Sequence, residues 1–212
     1  NNEASAIQEL TNSASHITIL LPDSASRDAI AAALALYLSL TEQQKKVVIA
    51  YPRQPIVGWS HLVGINKLQP SLGNKNFIIS LDYTEGAIER VSYNIEGNRF
   101  NLVIEPRENA PLFDEKKVSF KQGSLSTDLI FAVAASSLQS LGKYYSQNQQ
   151  LFNQKPIIVV DQNNTSGFGK VNLVKPAAAT SELVAYLVKT LEWVIDADIA
   201  SNLYDGIVSG SR

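Results

Sequence analysis

The sequence predicts an α/β fold, in which a five-stranded parallel sheet carries helices on both of its faces. Five short runs rich in Ile, Val, Leu and Phe have the length of strands, and they lie at 17–21, 47–51, 77–81, 129–133 and 157–160. Each run is apolar at both alternating positions, and helical patterns separate the runs. Strands that are covered on both faces have this composition in parallel sheets.

The segments between the strands justify the remaining elements. The clearest helix is predicted at 28–40, where alanines let the backbone lie close to the sheet, and further helices are predicted at 137–149, 181–194 and 197–208. Between the third and fourth strands, two alternating segments surround Glu96-Gly97-Asn98, and a third segment follows at 117–123. This pattern predicts a small antiparallel hairpin insertion around 91–120 within a single domain that covers 1–212.

Composition limits the class of function. The chain has 212 residues, 45% of them hydrophobic, which is enough for one substantial core. A formal charge of -2 with scattered Lys and Arg provides no basic stripe, so we expect no binding to long nucleic acid. No apolar run approaches the length of a membrane span, and the polar start is not a signal peptide, which predicts a cytoplasmic protein without membrane contact. The absence of Cys excludes disulfides and thiolate metal sites, and the absence of Met predicts a processed start.

Three carboxylates are predicted at the carboxyl edge of the sheet, where open α/β sheets bind their ligands. Asp28 begins the helix after the first strand, Asp82 ends the third strand, and Asp161 ends the fifth. Taken alone, each is also typical of a helix cap or a turn. Together they indicate a site for a hard cation, because oxygen ligands suit Mg or Mn.

The chain resembles the DHH phosphoesterase superfamily over nearly its whole length, in the oligoribonuclease and phosphoadenosine-phosphate phosphatase branch related to RecJ exonuclease. The residues that carry the resemblance are Asp28-Ala29-Ile30 with the Ala-rich helix, Phe168-Gly169 with 171–174, and the segments 180–184 and 203–207. The resemblance implies a Rossmann-like DHH domain and a two-manganese hydrolase that cleaves short nucleotides. Typical members continue into a DHH-associated substrate-binding domain, and nothing in this chain corresponds to it.

The resemblance also implies metal ligands that this sequence has replaced. The family's first motif, His-x-Asn-Pro-Asp-Gly-Asp-Ala, aligned on Asp28, puts Pro22 at the histidine and Ser26 at the first metal aspartate. In the same comparison, Asp82 is the retained aspartate of the second motif.

The two later motifs are similarly degenerate. The name-giving Asp-His-His becomes Asp161-Gln162-Asn163, and the aspartate of the last motif becomes Gly210. Gln and Asn are weak neutral oxygen donors that do not replace imidazole at a transition metal. Asp28, Asp82 and Asp161 therefore form a remnant metal set without histidine.

Other residues with possible chemistry have plainer interpretations. Gly167 and Gly169 would let the backbone approach a phosphate, although a tight turn into the next strand is favoured over that role. His16 and His61 lie away from the motifs and are interpreted as surface or packing residues. Arg27 would suit an anion, with a solvated side chain as the default.

Two functions from different classes follow. The first is a catalytically degenerate phosphoesterase-like domain, a pseudoenzyme that acts as a binding or assembly module, with no cofactor expected and with a homodimer or another protein as its partner. The alternative is a metal-dependent phosphoesterase that holds Mn or Mg on the remnant carboxylates and hydrolyses short oligonucleotides or nucleotide phosphates. A nucleotide sensor that binds a short nucleotide without hydrolysis lies between them.

Overall fold

A computed structural model describes residues 2–72, 77–122, 126–163 and 167–211. The chain forms two compact units: a sheet unit made of Asn1–Leu72 and Ser126–Arg212, and a hairpin unit made of Gly73–Leu125. The helices are α1 Asn2–Ser13, α2 Arg27–Glu42, α3 Lys143–Gln147, α4 Gln149–Gln154, α5 Thr180–Thr190 and α6 Ala197–Gly210. The strands are β1 His16–Leu20, β2 Lys46–Ala50, β3 Leu68–Gln69, β4 Phe77–Ser80, β5 Ile88–Glu96, β6 Arg99–Pro106, β7 Ser119–Gln122, β8 Leu129–Val133, β9 Ile157–Asp161 and β10 Val171–Val174.

The sheet unit contains a six-stranded parallel sheet in the order β10-β9-β8-β1-β2-β3. β8 and β1 lie at its centre, and both are buried along nearly their whole length. The predicted fold class is confirmed: an α/β architecture with a parallel sheet, helices on both faces and a small antiparallel hairpin.

Two hydrophobic clusters cover the two faces of this sheet. Ile17 and Ile19 of β1 belong to the larger cluster, to which α1, α2, α5 and α6 contribute. Leu20 faces the smaller cluster, together with Tyr144 of α3 and Phe152 of α4. The alanines predicted to let α2 approach the sheet are all buried, because this helix packs on the sheet and is also covered by α5 and α6.

The placement of the run at 77–81 in the parallel sheet is wrong. This segment is β4, which pairs antiparallel with β7 in the hairpin unit, and its side chains are exposed. The parallel sheet instead gains β3 beside β2 and β10 beside β9. An apolar run of four or five residues has the same composition in both settings, and only its pairing partner distinguishes them.

The helical segments differ from the prediction mainly around 137–149. A short 3₁₀ turn at Gln139–Leu141 precedes α3, and Asn148 separates α3 from α4. Gly142, with φ +55°, joins the turn to α3 and prevents one continuous helix. Within the described residues, no helix is both long and apolar enough to cross a membrane.

Candidate functional site

The first predicted site segment is the turn that leads from β1 into α2. Pro22 is buried, whereas Ser26 is exposed and forms the N-cap of α2 by accepting a hydrogen bond from the backbone N–H of Ala29 at 3.2 Å. Asp23, in the same turn, forms a two-point ion pair with Arg53 at 2.6 and 2.7 Å. The hydrogen bond from Arg53 holds the pKa of the Asp23 carboxyl below its usual range. Ser26 therefore has a structural role where the resemblance implies a metal ligand.

Asp28 is buried and binds the beginning of α5. Its Oδ2 accepts a hydrogen bond from the N–H of Thr180 at 2.6 Å, and its Oδ1 accepts one from the N–H of Ser181 at 2.9 Å. The residue at the N-cap of α5 is Ala179, which has no side chain that could cap these groups. The carboxylate of α2 thus satisfies two N–H groups at the positive end of another helix.

Two glycines of α6 lie against this joint. A Cβ at Gly210 would lie 2.7 Å from the Cβ of Ala179 and 3.1 Å from the Cγ of Asp28. A Cβ at Gly206 would collide with the Oγ of Ser181 and would lie 3.1 Å from the Cβ of Ala31. The absent side chains let α6 pack closely on α2 and on the beginning of α5.

Asp161 ends β9 and is buried. Its Oδ1 accepts hydrogen bonds from the backbone N–H of Asn163 at 3.1 Å and from the Nδ2 of Asn163 at 3.3 Å. The intervening Gln162 is half-buried, and its Oε1 is enclosed without a hydrogen-bond partner among the described residues. This arrangement closes a turn in which Asn163 folds back on the aspartate.

The end of β8 lies between those of β1 and β9, since β8 pairs with both strands. The first residue after it is Ala134, which has the left-handed φ of +53° and donates its N–H to the carbonyl of Val160 at 2.8 Å. A non-glycine residue in this region is unusual, and Asn and Asp tolerate it better than other residues. Sequence reasoning missed this position because it took Asp82, after the run at 77–81, as the aspartate of the second motif and gave no role to the residue after the strand at 129–133.

Asp82 follows β4 and therefore belongs to the hairpin unit. Its side chain is 77% exposed and lies 3.7 Å from the Nζ of Lys117. It lines a cavity of about 340 Å³ together with Tyr83, Phe113 and Asp114. The sheet topology that was expected to bring Asp82 beside Asp28 and Asp161 does not exist, because β4 is not a strand of the parallel sheet.

The two loop glycines have different environments. Gly167 has no neighbour that a Cβ would meet within 4 Å. A Cβ at Gly169 would lie 2.8 Å from the carbonyl oxygen of Val171 and 2.9 Å from that of Ile157, which begins β9. Gly169 therefore lies at the amino edge of β9, whereas Asp161 ends that strand. The side chain of Asn172 closes this turn with hydrogen bonds of 3.0 Å to the N–H and the carbonyl of Gly169.

A polar cluster that sequence reasoning missed lies beside the beginning of α2. Arg27 forms a two-point ion pair with Asp205 of α6, and the Nε2 of His61 lies 3.1 Å from the Oδ1 of Asp205. The hydrogen bond from Arg27 lowers the pKa of the Asp205 carboxyl, and His61 acts in the same direction.

One turn away on α6, buried Asn202 exchanges two hydrogen bonds of 2.9 Å with the backbone of Val63. These contacts hold the 61–63 loop on α6. The only sign of this cluster in the sequence was that Asn202 and Asp205 lie three residues apart in α6, an apolar helix.

His16 lies at the amino end of β1, where Asp128 accepts hydrogen bonds from the N–H groups of Ser15 and His16 at 3.0 and 2.9 Å. These contacts lower the pKa of Asp128. They also place His16 at the edge of the sheet opposite to Asp161.

The donor atoms at the carboxyl edge do not fit two manganese ions. Within the described ranges, no three His, Asp or Glu side chains lie together in a way that would hold a metal. Both carboxylate oxygens of Asp28 accept backbone N–H groups. At the end of β8, between β1 and β9, the next residue is Ala134, whose side chain offers no metal ligand. Mn and Mg bind through several oxygen or nitrogen donors, and this edge does not supply enough of them to hold two such ions.

Comparison with known proteins supports the fold. No protein-family model matches the sequence, and no curated protein matches it. Among solved structures, the chain is similar to an exopolyphosphatase-related protein from Bacteroides fragilis, with a TM-score of 0.67 and 15% sequence identity. The match covers 99% of this chain and 50% of the other, so this chain spans about half the length of that protein. The chain therefore shares its fold with a part of the exopolyphosphatase-related protein.

Proposed function

We propose that this chain is a degenerate DHH phosphoesterase-like domain that does not hydrolyse phosphate esters by itself and acts as a binding or assembly module. The observation that carries the proposal is the position of Asp28, whose two carboxylate oxygens accept the first two N–H groups of α5. Each oxygen of Asp28 already accepts an N–H group at the positive end of α5, so a metal ion would have to compete with the helix for this buried carboxylate. The residue that the resemblance retains most clearly therefore has a structural role.

The neighbouring motif positions support the same conclusion. Ser26 caps α2, and Gly210 lies where a carboxylate side chain would meet Ala179 and Asp28. The strand between β1 and β9 is followed by Ala134, which has no donor atoms in its side chain. Hydrolysis on two metal ions needs ligands that hold both ions and a water between them. We infer that the edge lost that ligand set while the surrounding helices kept their packing.

The close packing of the helices supports a role that depends on the fold itself. Buried alanines of α2 and the glycines of α6 allow the three helices α2, α5 and α6 to approach closely. A domain with this scaffold can present a surface or a nucleotide-binding loop without catalysing a reaction.

A cytoplasmic location stays a prediction that cell fractionation would test.

The decisive experiment is a calorimetric titration of the metal-stripped protein with Mn²⁺ at neutral pH, followed by hydrolysis assays with short oligonucleotides and nucleotide phosphates. We expect no binding up to millimolar Mn²⁺ and no metal-dependent turnover. Micromolar binding would contradict the proposal and would favour the metal-dependent phosphoesterase.

Two variants locate the metal if it binds. Loss of binding in Asp161→Asn would place the ion at the carboxyl edge of the sheet, whereas loss in Asp82→Asn would place it in the hairpin unit. Asp28→Asn is unsuitable for this purpose, because its loss of the α5 cap changes stability at the same time. Binding of a short oligonucleotide without hydrolysis, measured in the same calorimeter, would identify the module as a nucleotide sensor.

A further inference from the structure

The hairpin formed by β5 and β6 has one apolar and one polar face. Side chains of paired residues share a face, and Val91 pairs with Ile104, Tyr93 with Leu102, and Ile95 with Phe100. The rings of Tyr93 and Phe100 stack with their centroids 5.4 Å apart. All six side chains of this surface, which we call the hairpin face, are apolar or aromatic.

The reverse face has the polar pattern of a surface in contact with water, except at Val103, which pairs with Ser92. Arg90 donates a hydrogen bond to Glu105 at 2.7 Å, and Asn101 donates one to Asn94 at the same distance. Glu96 is paired with Arg99 beside the turn. This alternation identifies the hairpin face as the side that needs a partner.

The hairpin face is open. Tyr93 is 68% exposed, Ile95 67% and Phe100 64%, and Val91 and Leu102 are also exposed. Among residues 77–120, the part of the hairpin unit whose side-chain burial the structure describes, Ala87 is the single buried residue. Two-stranded hairpins are marginally stable in water unless a further layer covers their apolar side. That described part of the unit contains no such layer.

We propose that the hairpin face binds the hairpin face of a second copy of this chain. Two amphipathic hairpins that stack face to face form a small β-sandwich with a spacing of about 10 Å, and each supplies the layer that the other lacks. The contact would be isologous, because the same residues lie on both sides of a two-fold axis. Tyr93 and Phe100 would form the aromatic centre that interfaces favour.

The area is of the size that such an association requires. A fully buried aromatic side chain covers roughly 150–250 Å², so the exposed parts of Tyr93 and Phe100 alone offer on the order of 250 Å². With the four aliphatic side chains, the hairpin face offers roughly 600 Å² per copy, which is the lower limit for specific interfaces that bury about 1,200–2,000 Å² in total. A contiguous apolar patch of this size is at the upper limit for a monomer surface.

Charge favours a copy of the chain over a nucleic acid or a strongly charged peptide. Residues 73–125 carry eight acidic and seven basic side chains, which leaves the hairpin unit almost neutral. Near-neutral surfaces associate more readily than highly charged ones, and no excess of either sign is present to select an oppositely charged partner. The partner named here extends the proposed assembly role, although the association does not depend on the loss of metal ligands at the sheet.

The test compares two substitutions of the full chain that differ only in the face they alter. Ile95→Lys with Phe100→Glu puts an opposite-charge pair on the hairpin face, and Asn94→Lys with Asn101→Glu puts the same pair on the reverse face. Both pairs are directly opposite across the strands, so both variants retain a favourable cross-strand contact. Sedimentation equilibrium should show a dimer for the wild type and the reverse-face variant, and a dissociation constant at least about 100-fold higher for the hairpin-face variant.

Cross-linking gives an independent measurement that does not depend on the stability of a charged variant. The chain has no Cys, so Tyr93→Cys and Asn94→Cys each introduce a single thiol. A short bis-maleimide should link two copies through the thiol at position 93 and not through the thiol at position 94. The proposal is overturned if the wild type is a monomer at high concentration, or if the hairpin-face variant dimerises as tightly as the wild type. Mn²⁺ titration is a separate measurement, so the pseudoenzyme proposal and the dimer proposal can fail independently.

Discussion

Ser181 donates two hydrogen bonds to Asp28, one from its backbone N–H to the carboxylate at 2.9 Å and one from its hydroxyl to the main-chain carbonyl at 3.2 Å. The contacts join the beginning of α5 to the first turn of α2, across 153 residues of sequence. Because the carboxylate lies at the positive end of the α5 dipole, this joint is favoured by charge as well as by geometry. A residue that a family motif marks as a ligand is thus a structural link between helices.

Asp28→Asn is expected to lower the free energy of unfolding by about 2–4 kcal/mol, because hydrogen bonds to a charged acceptor are strong and the amide supplies only one acceptor atom for two N–H groups. Urea denaturation followed by circular dichroism measures the change. Asp82→Asn is the matched control, since its carboxylate is largely exposed and lies 3.7 Å from Lys117. Its midpoint should equal that of the wild type within error. Equal losses in the two variants would contradict the helix-joint role of Asp28.

Gly206→Ala is expected to destabilise the protein by about 1–3 kcal/mol, as overpacked core positions do. In an open helix, the same substitution would stabilise by roughly 1 kcal/mol. Here the new methyl group meets the hydroxyl of Ser181, which cannot turn away without losing its bond to Asp28. Gly58→Ala is the control, because nothing lies within 4 Å of its added Cβ. Thermal unfolding should separate the two variants, and a stabilised Gly206→Ala would show that α6 can move outward at little cost.

Gly210→Asp introduces the residue that the DHH motif has at the position aligned by resemblance, and we expect it to destabilise the protein more than Gly206→Ala does. Its Cβ would lie 2.7 Å from that of Ala179, and its carboxylate would add a second negative charge beside Asp28. Gly210→Ala adds the methyl group without the charge and separates the two causes in the same denaturation experiment. A folded Gly210→Asp variant of unchanged stability would contradict the tight packing of α6.

The parallel sheet could be predicted because its strands are buried on both faces, so their composition identifies them directly. The runs that became β1, β2, β8 and β9 were located to within one residue at each end. β4 was misassigned because a run such as Phe-Ile-Ile-Ser has no feature that distinguishes a parallel central strand from an exposed antiparallel one. β3 has two residues and β10 includes an Asn, so neither produces a sufficient hydrophobic signal.

The candidate site was harder to predict, because its geometry depends on contacts between distant segments. The resemblance puts Gly210 where the family motif has an aspartate, but it does not predict that the absent side chain makes room for Ala179. The assignment of Asp82 to the carboxyl edge depended on β4 and was lost with that strand. The partners of Asp28 are 152 and 153 residues away, and no local pattern indicates them.

Asp205→Asn is expected to destabilise the protein at neutral pH and to have a decreasing effect in acid. Arg27 lowers the pKa of the Asp205 carboxyl in the folded state. The carboxylate therefore contributes its full stabilisation above the pKa of the unfolded chain, roughly 4, and the contribution is lost as the pH falls through the lower folded-state value. Urea midpoints for the wild type and Asp205→Asn between pH 7 and pH 3 should converge at the acid end. A constant difference across this range would show that Asp205 acts through packing alone.

Ser26→Asp with Ala134→Asp and Gln162→His is expected to create Mn²⁺ binding that the wild type lacks. Asp is as good an N-cap as Ser at position 26, and it tolerates the left-handed φ of +53° at position 134. The Oε1 of Gln162 is enclosed without a hydrogen-bond partner among the described residues, so His at this position replaces an unsatisfied acceptor. Calorimetry should detect micromolar binding in the triple variant and none after a further Asp161→Asn substitution. If the triple variant folds and still binds no metal, the carboxyl edge does not have the geometry of a remnant metal site.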